Sequence, residues 1–447
     1  MPVESPQEKK PRAHRGHIIS PLSGGGLLDV RDGLLLVDAK GRIAYAGAFD
    51  EFEGSLPADL LEDLEDYGKR LILPGFIDLH IHLPQVTQTA RSGEHLLQWL
   101  EKYIFPAESR FSDLEHAEKI ALWFFDELVR NGTTTAVVFT TIHKKAADCA
   151  FAVARRSGIR VVMGKVMMDE NAPGELTETT SESLEESFEL YEKWHGQDEG
   201  RLLYAYTPRF AVTSSRGLLD GVGELLEKSP GSFMHTHLSE SQGEIEFVAR
   251  QFPGYKDYVD VYDRHGLLGE RSILAHAIHL SDRELKVLAD RKSILAHCPS
   301  SNFFLKSGVF QYTRVMNAGI RFGLGSDVAA GPQMSMFGVM KDANYIQPSD
   351  WLTPRELFYR STLAGAEALG LSEHTGSLEM GKEADFIIVD PTFRTGIADD
   401  ILDQPTDEIL SSMVFLGDDR IVLSTFVRGE CLFKKNEKHR QMSVLGS

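Results

Sequence analysis

Cysteine is scarce in this 447-residue chain: Cys149, Cys298 and Cys431 are odd in number and far apart. They exclude a disulfide framework, so a reducing, cytoplasmic compartment is the expectation. Positive charge is short as well, with 47 Lys and Arg against 66 Asp and Glu, a net charge of -19 and an isoelectric point near 5.3. Nucleic-acid partners demand a basic face, so this balance argues for a small-molecule substrate instead. No apolar run approaches the roughly 20 residues of a membrane span. The first residues, including Glu4, Glu8, Lys9, Lys10, Arg12 and Arg15, hold no signal-peptide core. Short repeats and low-complexity segments are missing too, which leaves an ordinary globular composition, 42% hydrophobic and 25% charged. A chain of this length can hold one large catalytic domain and something smaller.

What is present is organised around residues 71–82. An apolar run, broken by Pro74-Gly75, leads into Phe76-Ile-Asp-Leu-His80-Ile-His82, which reads as a buried strand ending in two histidines. Side chains at i and i+2 of a strand share a face, so His80 and His82 point the same way. Two neutral imidazoles converging at a strand end suit Zn2+ or Fe2+. Taken alone, such a pair is better explained as hydrogen-bonded core histidines. Further ligands at later strand ends would reverse that judgement.

Short strands separated by glycine and polar turns run from residue 15 to about 70, and similar strands return at 384–390, 420–429 and 430–433. Each set is too small to stand alone, so the two ends are expected to form one β-sandwich from residues 1–70 and 378–447. Between them, over residues 71–377, strands and helices alternate. Strands are expected at 76–82, 132–140, 159–168, 202–207, 233–237, 272–276, 293–297 and 320–327, with helices around 94–103, 114–131 and 144–157. Eight such strands make an α/β fold of the (β/α)8 barrel type. The barrel places catalytic groups at the C-terminal ends of its strands. His80 and His82 end the first, His237 the fifth, His276 the sixth and Asp327 the eighth. One of these would more often be structural than functional, but five at the correct ends of four strands make a metal site. Asp327 could touch the metal and accept a proton from water bound there.

These residues resemble the amidohydrolase superfamily, through Pro74-Gly-Phe-Ile-Asp-x-His80-x-His82, the later single histidines and the strand-eight aspartate. More specific are His82-Leu-Pro-Gln85, Phe105-Pro-Ala-Glu108, Thr207-Pro-Arg-Phe210, Thr236-His-Leu-Ser-Glu240, His297-Cys-Pro-Ser-Ser-Asn302 and Leu416-Gly-Asp-Asp-Arg420. Thr207-Pro-Arg-Phe210 together with His237-Leu-Ser-Glu240 is similar to the branch that deaminates guanine. The resemblance implies metal ligands His80, His82, His237 and Asp327, with His276 either a further ligand or a contact to the water or leaving group. It implies that Glu240 shuttles protons and that Gln85, Arg209 and Phe210 recognise the purine beside His82, His237, Glu240 and Asp327. The activity implied is hydrolysis of guanine to xanthine and ammonia by a metal-activated water, with one zinc per chain or iron in its place, in a homodimer. Other amino-heterocycles such as 8-oxoguanine, pterins and triazines fit the same site. A metal-free scaffold is the non-enzymatic alternative, and the intact ligand set speaks against it.

Many superfamily members hold two metals bridged by a carboxylated lysine at the end of strand four. Lys165 falls on strand three, so a single metal is expected. His279, His143, His235 and His297 are expected to pack or to support the site, Asp78 to orient it, and Cys298 to fill space. The acidic run Glu178 to Glu189 reads as a solvated helix start.

Overall fold

The computed structural model describes residues 10–52, 56–91, 96–394, 397–398 and 400–435. Glu4, Glu8 and Lys9 of the N-terminus, and Glu94 at the start of the expected helix, lie outside the described residues. Four strands come first: β1 (Arg12–Pro21), β2 (Leu27–Val37), β3 (Ile43–Ala48) and β4 (Glu65–Pro74). The central sheet follows, with β5 (Phe76–His82), β6 (Thr133–Phe139), β7 (Arg160–Gly164), β8 (Val166–Met167), β9 (Leu202–Pro208) and β10 (Phe233–Leu238). Its remaining strands are β11 (Ser272–His276), β12 (Ile294–His297) and β13 (Arg321–Leu324). Finally β14 (Phe386–Val389), β15 (Val422–Val427) and β16 (Glu430–Lys434) return to the first sheet.

That first sheet has the order β16-β15-β14-β4-β1-β2-β3. Neighbours are antiparallel except for β1 and β4. It is one continuous hydrogen-bonded layer that folds over on itself. Three strand steps separate β15 from β1, roughly 14 Å in a flat sheet. Yet the rings of Phe426 and His14 lie 5.2 Å apart, and the backbone amide of Ile43 in β3 donates to the carbonyl of Lys382 just before β14. The fold encloses a core of its own, built from residues such as Ile18, Leu35, Ile72, Phe386 and Phe426.

The apolar run at 71–74 joins this layer and not the barrel: Leu71 to Pro74 pair with Val389 to Phe386, and the chain crosses into the barrel at Gly75. Proline and glycine mark that crossing because Pro74 cannot donate to a ladder and a Cβ at Gly75 would lie 2.2 Å from Thr134.

The barrel strands β5, β6, β7, β9, β10, β11, β12 and β13 are parallel in that order, and β8 is a short side pair to β9. β13 and β5 are joined by the loop after β13, where the Asp327 amide donates to the His80 carbonyl at 2.8 Å and the His82 amide to the Val328 carbonyl at 3.1 Å. Helices cover the outside, so the strands are apolar on both faces and read as runs such as Ile-Leu-Ala. Helices at Leu114–Arg130 and Lys144–Ser157 fall where the apolar periodicity puts them. The expected strand at 159–168 is broken at Lys165, and the stretch expected as one helix near 96–103 contains a π-turn, Leu100–Ile104, followed by Phe105–Ser109. No helix among the described residues is long and apolar enough to cross a membrane.

Candidate active site

Alternation along β5 turns Asp78, His80 and His82 to one side, and the chain delivers two more imidazoles to the same point from β10 and β11. His82 Nε2 lies 3.1 Å from His80 Nε2 and 3.2 Å from His237 Nε2. Burial keeps these rings neutral, lowering His82 to about 3 and His80 and His237 below their ordinary values. His237 Nδ1 faces the Arg209 carbonyl at 2.7 Å, which can only accept, so Nδ1 carries the proton and Nε2 offers a lone pair to the cluster. His80 Nδ1 meets His235 Nε2 at 2.8 Å, and His276 Nδ1 meets Asn302 Oδ1 at 2.9 Å. His80, His237 and His276 are thus each held from behind with the other nitrogen directed inward.

Asp327 completes the cluster. Its Oδ1 lies 3.2 Å from His82 Nε2 and 3.3 Å from His80 Nε2, and its Oδ2 lies 3.6 Å from His276 Nε2. Burial alone would raise its carboxyl, but the facing imidazoles more than offset this and hold it well below the usual range. Converging neutral imidazoles and one carboxylate, all buried, match the donor set of Zn2+ or Fe2+, and lone pairs facing each other at 3.1 Å lack an electrophile. The residues therefore fit a divalent cation.

The expected strand at 320–327 stops at Leu324, so Asp327 stands in the loop beyond it. Asp78 fixes that loop: its carboxylate accepts from the Ser326 amide at 3.0 Å, the Ser326 hydroxyl at 2.5 Å and the His80 amide at 3.1 Å. Gly325 lets the loop press against β5, since a Cβ there would lie 2.9 Å from His80 Cβ. Strain gathers here: Ser239, His276, Ala277 and Asp327 all have positive φ. Such conformations cost about 1–3 kcal/mol each and persist only where surroundings impose them.

Glu240 sits in the loop that leaves β10, two residues past Leu238 and two before the helix Gln242–Gln251. A capping box between Ser241 and Glu244 starts that helix, and Glu244 also accepts from the Glu240 amide at 2.8 Å. Burial, and then the charge of Asp327, push the Glu240 carboxyl up to about 8; Oε1 accepts from the Ser307 hydroxyl at 3.1 Å, and Oε2 lies 3.5 Å from His276 Nε2. Glu240, His82, His237, His276 and Asp327 open onto one cavity. Gln85, Arg209 and Phe210 line its other side, with apolar walls from Trp99, Leu100 and Leu305. All the residues singled out from the sequence as catalytic, metal-ligating or substrate-binding candidates are thus brought together.

Glu108, whose motif the sequence displays without a role, is buried behind Gln85 and Arg209 and bonds to both. Trp99 and Leu100 fall in the motif Gln98-Trp-Leu-Glu-Lys102, which resembles the family but shows no role, and Leu305 was unmarked, because an apolar wall looks the same in sequence as a core. Lys165 follows β7 and points away, its Nζ pairing with Glu178 and Glu186. The acidic run is therefore only partly a solvated face: it supplies the counter-charges of a buried lysine. His279 bonds to the Ser307 carbonyl at 2.8 Å, and His297 stacks on Phe310 at 4.3 Å. His143 is half-buried, just before the helix Lys144–Ser157. Cys298 Sγ comes within 4.8 Å of donor atoms of His80, His276 and Asp327, but burial pushes its thiol well above the ordinary value, leaving it a protonated packing group.

The model of the amidohydrolase family matches residues 71–432. The chain belongs to the amidohydrolase family. It is 39% identical over 411 residues to a guanine deaminase of Escherichia coli K12, covering 91% of this chain and 92% of the relative. In three dimensions this amidohydrolase is similar to the solved E. coli guanine deaminase, with a TM-score of 0.91 and 38% identity over 95% of this chain and all of that one. It is also similar to the guanine deaminase from C. acetobutylicum with bound guanine in the active site, at a TM-score of 0.86 and 30% identity over 95% of this chain and all of that one. A triazine hydrolase from Arthrobacter aurescens, 20% identical, shares the fold.

Proposed function

We propose that this amidohydrolase deaminates guanine: one water adds at C2, the exocyclic amine leaves as ammonia, and xanthine remains. The observation that carries the reading is a single cavity lined by His82, His237, His276 and Asp327 of the candidate cation site together with Glu240, Gln85 and Arg209. The guanine deaminases to which the chain is similar over most of its length support it.

The ligands we assign are His80, His82, His237 and Asp327, holding one ion per chain, for which zinc is the choice and iron the alternative. A divalent ion held there supplies the Lewis acidity that makes water a competent nucleophile near neutral pH. Asp327, ionised and within reach of His82 and His276, orients that water and takes its proton. Burial and the neighbouring Asp327 charge keep a proton on Glu240 near neutral pH, where it can be handed on. Delivered to the ring nitrogen beside C2, the proton lets the ring accept electrons from the attacking oxygen. His276 stands between the two carboxylates and contacts the departing nitrogen, which takes the proton held by Asp327 and leaves as ammonia while the hydroxyl at C2 gives its proton to Glu240 and becomes the carbonyl of xanthine. Phe210 gives the ring an apolar face, and Arg209 and Gln85 hydrogen-bond its polar edge.

The test is ammonia release from guanine, 8-oxoguanine, adenine, cytosine, pterin and a triazine by protein whose metal content has been counted. Rapid release from guanine with xanthine as product is expected. No guanine turnover by metal-replete protein, with turnover of another member of the panel, would move the assignment to that heterocycle.

A further inference from the structure

We infer that Glu108 determines which hydrogen-bonding edge of the purine the cavity accepts, by locking the orientation of the Gln85 amide; the inference rests on the guanine reading above. Glu108 lies in the helix Phe105–Ser109, just after the π-turn, and joins two residues from other elements. Its Oε1 accepts from Gln85 Nε2 at 3.0 Å, and its Oε2 accepts from Arg209 at 2.5 Å. All three side chains are buried, with relative exposures of 2% for Gln85, 3% for Arg209 and 5% for Glu108. Gln85 and Arg209 line the cavity while Glu108 stands behind them, which makes it a positioning residue.

A carboxylate paired with a guanidinium only accepts hydrogen bonds. Gln85 must therefore turn its amide nitrogen toward Glu108, because the flipped amide would bring two acceptors together in a buried place. Oε1 is left for the ligand, and among the described residues nothing donates to it. Arg209 is fixed from two sides, by Glu108 and by Phe105, whose ring centroid lies 5.4 Å from the guanidinium carbon. Its remaining N–H groups are donors in a rigid plane. Gln85 and Arg209 together offer an acceptor beside donors. The matching edge is an N–H beside a carbonyl, the N1–H and C6=O edge of guanine. A ring with a lone pair at N1 meets the Gln85 oxygen head-on.

A merely structural Glu108 would neutralise Arg209 and leave this preference unmoved. The experiment compares kcat/KM for guanine and for 2-aminopurine, which has the same reacting amine but a lone pair at N1, in metal-loaded wild type, Glu108→Gln and Glu108→Asp, with melting temperature and metal content as controls. A glutamine at 108 can donate, so Gln85 is free to flip. The guanine to 2-aminopurine ratio is expected to fall at least tenfold in E108Q, with the guanine loss mainly in KM, and to be retained in E108D at a lower rate. An unchanged ratio in folded E108Q overturns the lock. Should E108Q not fold, Gln85→Leu keeps the Glu108 and Arg209 ion pair and must lower the same ratio; a retained ratio overturns the reading of N1 by Gln85. Wild-type protein that fails on guanine overturns the proposed reaction instead, so the two failures are separate.

Discussion

Two clusters of buried ionisable groups lie at opposite ends of the barrel, and they are built from different chemistry. At the N-terminal end, Arg160 at the start of β7 meets Glu383 and Asp385, and Arg428 donates to Glu383 at 2.8 and 3.1 Å. Thr375 and the Arg428 amide satisfy Asp385 at 2.9 Å each. Burial alone would raise Glu383, but Arg160 and Arg428 hold it below its ordinary value. Two cations and two anions pair here and tie the barrel to the folded-over sheet. At the C-terminal end, three imidazole nitrogens and a carboxylate crowd together with lone pairs facing inward. What differs is that the lower cluster pairs opposite charges, whereas the upper one turns ligand atoms toward one another in a donor set that fits a cation.

The contrast can be broken most severely at Asp327. Replacing it with alanine is expected to lower guanine turnover by about 10^4-fold or more while folding persists, since it removes both a cluster charge and the group proposed to accept the proton. Near-normal activity of purified, metal-counted D327A would refute the assigned roles. At the other end, Arg160→Met leaves buried carboxylates short of a partner and should cost about 3–5 kcal/mol in denaturant unfolding, with activity per folded, metal-loaded molecule unchanged. If stability held and activity fell, the division between the two ends would be wrong.

A smaller effect, of order 3 kcal/mol, belongs to pH. Burial lowers His14 to about 4, against 6.5 in the unfolded chain. Between those values the unfolded state binds more protons, so stability is fully present above about pH 6.5 and is lost as pH falls toward 4. Unfolding curves of His14→Phe should show a flatter acid limb than wild type; parallel limbs would contradict the shift. Smallest is His235→Phe, which removes the acceptor behind His80 and should weaken metal affinity 10- to 100-fold, measured by chelator competition. Unchanged affinity would mean that His80 needs no support from behind.

Much of this was legible because the signals are local. A histidine ending an apolar run marks a strand terminus, and parallel strands bring such termini to one rim, so His80, His82, His237 and His276 could be placed together without coordinates. The folded-over sheet was legible as two half-sheets in need of each other. Less legible was the run through Pro74-Gly75, where one apolar stretch serves two sheets and only the partners Phe386 to Val389 reveal it. Asp327 seemed to end a strand, yet it stands in a loop at φ 47°, since backbone strain leaves no mark on composition. Glu108 was invisible as a site residue because its importance lies in touching Gln85 and Arg209, 23 and 101 residues away in sequence.

The pairing of β4 with β14 also sets a clock on synthesis. At about 5–20 residues per second, the ribosome delivers β14 roughly 15 to 60 s after β4. During that interval β4 offers an edge on the side that Phe386 to Val389 will later cover, while β5 with His80 and His82 already lies directly beyond it. An unpaired apolar edge is a template for association with other chains. The nascent chain therefore carries the strand of His80 and His82 beside an unpaired apolar edge until nearly the last strands have emerged, and a product shortened before residue 386 would keep that edge exposed for good.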